Sequence, residues 1–65
     1  RINMKEEAIG AARQCIGIAP EYGEGYLLLG LAQVHAGKKE EGLANLRRAK
    51  ELGEEQADAL IDKYQ

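Results

Sequence analysis

The sequence predicts an all-α protein: about four helices, paired as antiparallel hairpins, in a single domain covering 1–65. Three observations predict it. The chain resembles itself when displaced by 34 residues, a period that belongs to repeating supersecondary units. Its glycines and its proline fall where helices would have to stop, at Pro20, Gly23, Gly37 and Gly53. Strand signals are weak, because the six β-branched residues are scattered and no sustained alternation of apolar and polar residues occurs.

Taken in order, the first helix is expected over 4–18. Glu6 and Glu7 lie in its first turn, where the helix dipole favours anions, and Arg13 lies toward its other end. Ala8, Ala12 and Cys15 recur at helical spacing and give it one face of small residues. Pro20 and Gly23 bracket the connection to a second helix at 24–36, which Gly37 ends as a left-handed residue. Gly30, inside that helix, costs about 1 kcal/mol against alanine. Such a glycine is tolerable where another helix must come close, so Gly30 is expected to face the third helix. That third helix is expected over 40–52, with Glu40 and Glu41 at its start, Arg47, Arg48 and Lys50 toward its end, and Gly53 as its stop. Gly42 and Ala49 are its close-packing positions. The fourth helix is expected over 56–64. The chain has no serine and no threonine, so helix starts fall to glutamates, Asn3 and glycines instead of the usual hydroxyl caps.

The internal repeat is specific to particular positions. Lys5-Glu6-Glu7-Ala8-Ile9 falls on Lys39-Glu40-Glu41-Gly42-Leu43, Arg13 on Arg47, Cys15 on Ala49, Ile18 on Leu52 and Glu21 on Glu55. Gly23-Glu24-Gly25-Tyr26-Leu27 falls on Ala57-Asp58-Ala59-Leu60-Ile61. Size and polarity persist where identity does not. Tyr26-x-x-Leu29-Gly30, the small residues Gly42 and Ala49 and the bulky Leu46 resemble the tetratricopeptide repeat, a 34-residue helix–turn–helix unit. Gln33 stands where that family usually has a second aromatic, and Glu54 where it has a proline; Pro20 fills the proline slot of the earlier unit. The resemblance divides the chain into the second helix of a preceding repeat (1–22), one complete repeat (23–56) and a closing helix (57–65), a segment of an α-solenoid.

Composition bounds what such a chain can do. A single cysteine excludes an internal disulfide framework and a cysteine-rich zinc site. The absence of serine and threonine excludes either as a nucleophile. A net charge of −2 gives no general attraction to nucleic acid, and the apolar run Leu27–Ala32 is far short of the roughly 20 residues that span a bilayer, so no membrane insertion is expected. The chain starts at Arg1 and its only methionine is Met4, which suggests a piece of a longer protein; the compartment stays open, with the cytoplasm favoured.

No catalytic residue, metal ligand or cofactor site is expected. Cys15 aligns with Ala49 and reads as a small core residue. His35, the only histidine, lies in a last helical turn where an imidazolium suits the dipole. The glutamate pairs 6/7, 40/41 and 54/55 point about 100° apart on a helix and do not converge. Gly23-Glu24-Gly25 lacks the further glycine and the preceding strand of a phosphate loop.

A surface remains. The resemblance implies a groove lined by the first helix of each repeat, here Glu24, Leu27, Leu31, Val34 and His35, holding a protein or peptide partner. It assigns Tyr26, Leu29, Gly30, Gly42, Leu46 and Ala49 to packing within the repeat. Leu27 and Leu31 stand where a related subfamily carries polar residues for acidic C-termini, so that ligand is disfavoured. Two readings of this apolar excess stay open: a partner-binding groove, or a face that neighbouring helices cover. The expected function is a protein–protein interaction module of the scaffold or adaptor kind. The alternative is a structural or homo-oligomerising segment of a larger repeat protein, dimerising through the open N-terminal helix.

Overall fold

A computed structural model describes residues 4–65, with side chains from Glu6 onward. Asn3, expected to help start the first helix, lies outside the described residues. The chain forms α1 (Met4–Ile18), α2 (Gly23–His35), α3 (Lys39–Glu51) and α4 (Glu55–Tyr64). Every expected helix is present, with starts and ends within one residue of the spans read from sequence. Each helix packs against the next as an antiparallel neighbour. The array measures 35 × 27 × 15 Å. α4 packs on α3 and also reaches α2, where Tyr64 meets His35 and Ile61 shares a core with Leu27, so the helices do not lie in one row.

The stops of α2 and α3 are built alike. Gly37 (φ 88°) and Gly53 (φ 102°) adopt the left-handed conformation that a side chain would strain. Beyond Gly37, the Lys38 N–H bonds the Gln33 carbonyl at 2.8 Å, and the Gly37 N–H bonds that of Val34 at 3.2 Å. Beyond Gly53, Glu54 and Gly53 bond the carbonyls of Ala49 and Lys50, each at 3.0 Å. Both are paired closures that satisfy the last carbonyls of a helix. The starts are plainer. Tyr22, Lys38 and Glu54 occupy the N-cap positions of α2, α3 and α4, and none caps with its side chain. Gly23 is the first residue of α2 rather than part of the connection. It is buried, because a Cβ there would lie 3.1 Å from the Leu52 Cβ.

The core has two parts. Leu27, Leu43, Leu46, Ala49, Ala57 and Ile61 join α2, α3 and α4, edged by Tyr26, Leu31, Val34, Leu60 and Tyr64. Ile9, Ala12 and Leu29 join α1 to α2. Leu29 thus packs on α1, not within the hairpin of α2 and α3 as the sequence suggested; with Leu27 and Gly30 turned to α3, its direction on the helix leaves only α1 to meet.

The tightest contact is the crossing of α2 and α3. A Cβ at Gly30 would lie 2.7 Å from the Gly42 carbonyl oxygen and 2.8 Å from the Leu46 Cγ. One at Gly42 would lie 2.5 Å from the Val34 Cγ2 and 2.6 Å from the Gly30 carbonyl oxygen. The two glycines place backbone against backbone, as expected for Gly30. Beside them, the buried Gln33 accepts a hydrogen bond from the Asn45 amide at 2.6 Å. That bond explains how a polar side chain takes the place of an aromatic: its oxygen has a partner where water cannot reach.

Candidate functional site

The residues expected to line a groove do not share one open face. Leu27 is only 5% exposed and belongs to the core against α3 and α4. Val34 turns its Cγ2 onto Gly42 of α3. Glu24 and His35 are exposed, and Leu31 is half-buried at the edge of the core. The open line of α2 is Glu24, Leu28, Leu31 and His35, spaced 4, 3 and 4, which is one side of a helix. Sequence reasoning placed the stripe one residue off, through Leu27 and Val34, and missed Leu28. Because Leu27, Leu28 and Leu29 are all leucine, composition could not say which of them α1 and α3 leave uncovered. The faces of those neighbours could have said so: Leu29 meets the small face of α1, Leu27 meets α3, and Leu28 is left over.

Leu28 is half-exposed and opens onto α1. Together with Ala8, Ala11, Ala12 and Cys15 it lines a shallow apolar hollow of about 230 Å³. Ile18, 86% exposed, continues the line of Ala8, Ala11 and Cys15 along the helix. Exposing an isoleucine to this degree forgoes the roughly 1.5–3 kcal/mol that burying such a side chain contributes. Cys15 is half-buried rather than enclosed, its Sγ 3.4 Å from the position a Cβ would take on Gly25.

The polar groups lie elsewhere. His35 meets the Tyr64 ring edge-on, with centroids 5.8 Å apart and its Nε2 3.4 Å from the Tyr64 hydroxyl. Lys50 pairs with Asp58 at 2.9 Å across the turn between α3 and α4, and the hydrogen bond and charge of that carboxylate raise the ammonium pKa. Tyr22 donates its hydroxyl to Glu24, which raises the phenol pKa. The Arg48 guanidinium lies 5.8 Å from the Tyr26 ring centroid. Among the described residues, no group of three or more His, Cys, Asp or Glu is placed to hold a metal ion, and no helix is long and apolar enough to cross a membrane.

The class that fold and site define is a small all-α protein of four helices with an apolar hollow between α1 and α2. No family profile, curated protein or solved structure matches the chain.

Proposed function

We propose that the chain is a helical interaction module that holds a segment of another protein, and that it does so by binding rather than catalysis. The observation carrying this reading is the open apolar face of α1 and α2. Ala8, Ala11 and Leu28 line an open apolar hollow with the half-buried Cys15, and Ile18 is exposed a turn further along α1. Exposed apolar surface of this kind marks places where other molecules dock. The internal repeat and the Tyr26-x-x-Leu29-Gly30 pattern support a tetratricopeptide-like segment, in which each helix relies on its neighbours for cover. The partner face differs from the groove first expected, since Leu27 and Val34 are turned to α3.

The same exposed face favours one second reading, a homodimer through α1. Peptide display on the immobilised chain, counter-selected with Leu28→Glu, tests both. Peptides that bind the parent chain and lose the Leu28→Glu variant support the module. A chain that light scattering finds dimeric, and that returns to monomer with Leu28→Glu, supports the dimer. Peptides insensitive to Leu28→Glu contradict a site on this face.

A further inference from the structure

We draw no further inference here: the strongest candidate, the apolar hollow between α1 and α2 lined by Ala8, Ala11, Ala12, Cys15 and Leu28, belongs to the site already described, and nothing in the structure shows what covers it.

Discussion

The crossing of α2 and α3 and the outward side of α1, turned away from α2, treat glycine oppositely. At the crossing, Gly30 and Gly42 meet backbone to backbone, and any added carbon enters occupied space. On α1, Gly10 and Gly17 have nothing within 4 Å of where a Cβ would sit. One pair of glycines is required by packing. The other meets no packing demand, and nothing in the structure explains it. The difference shows that glycine content alone says little about helix contacts; the neighbour decides. It also shows that a face can carry the residues for close packing without being covered.

The largest break in this contrast is Gly30→Leu, which should destabilise the chain by about 3 kcal/mol or more through forced separation of α2 and α3. In a chain of this size that leaves little folded protein, readable as loss of a cooperative thermal transition by circular dichroism. Leu46→Ala, at a side chain with no exposure, should cost about 2–5 kcal/mol in the same measurement. Asn45→Ala should cost about 1–3 kcal/mol because Gln33 keeps its burial and loses its donor, and adding Gln33→Leu should recover much of that. Recovery absent from the double variant would show that the amide pair is not what holds this contact.

On α1 the sign reverses. Gly10→Ala and Gly17→Ala should each stabilise by about 1 kcal/mol, because the helix gains propensity and no neighbour is displaced. A loss of stability in either would mean that side of α1 is covered. The smallest expected effect is Glu54→Ser, a gain of about 0.5–1 kcal/mol from giving α4 the side-chain cap it lacks.

Much of the fold was legible because punctuation was strong. Gly37 and Gly53 marked helix stops that the chain closes with left-handed glycine, and Gly30 announced the crossing. The site was less legible. A run of three leucines places apolar side chains around most of a helix, so the stripe that stays open depends on where two neighbours sit. That displaced the expected groove from Leu28 to Leu27 and Val34. Leu29 was misassigned for the same reason, since α1 and α3 compete for adjacent sides of α2. Cys15 aligned with the enclosed Ala49, yet it is half-buried because α1 has no helix in the position that α2 takes on α3.

Cys15 also supplies the most direct measurement. As the chain's only cysteine, lining the bare hollow, it reports on whatever covers that face. Its rate of alkylation by a small maleimide can be followed with and without a saturating displayed peptide whose binding is lost in Leu28→Glu. The account predicts slowing of about tenfold or more, with Ala11→Glu restoring the free rate. An unchanged rate at a peptide concentration that saturates the chain would contradict it, because the partner would then be docked somewhere other than on this face.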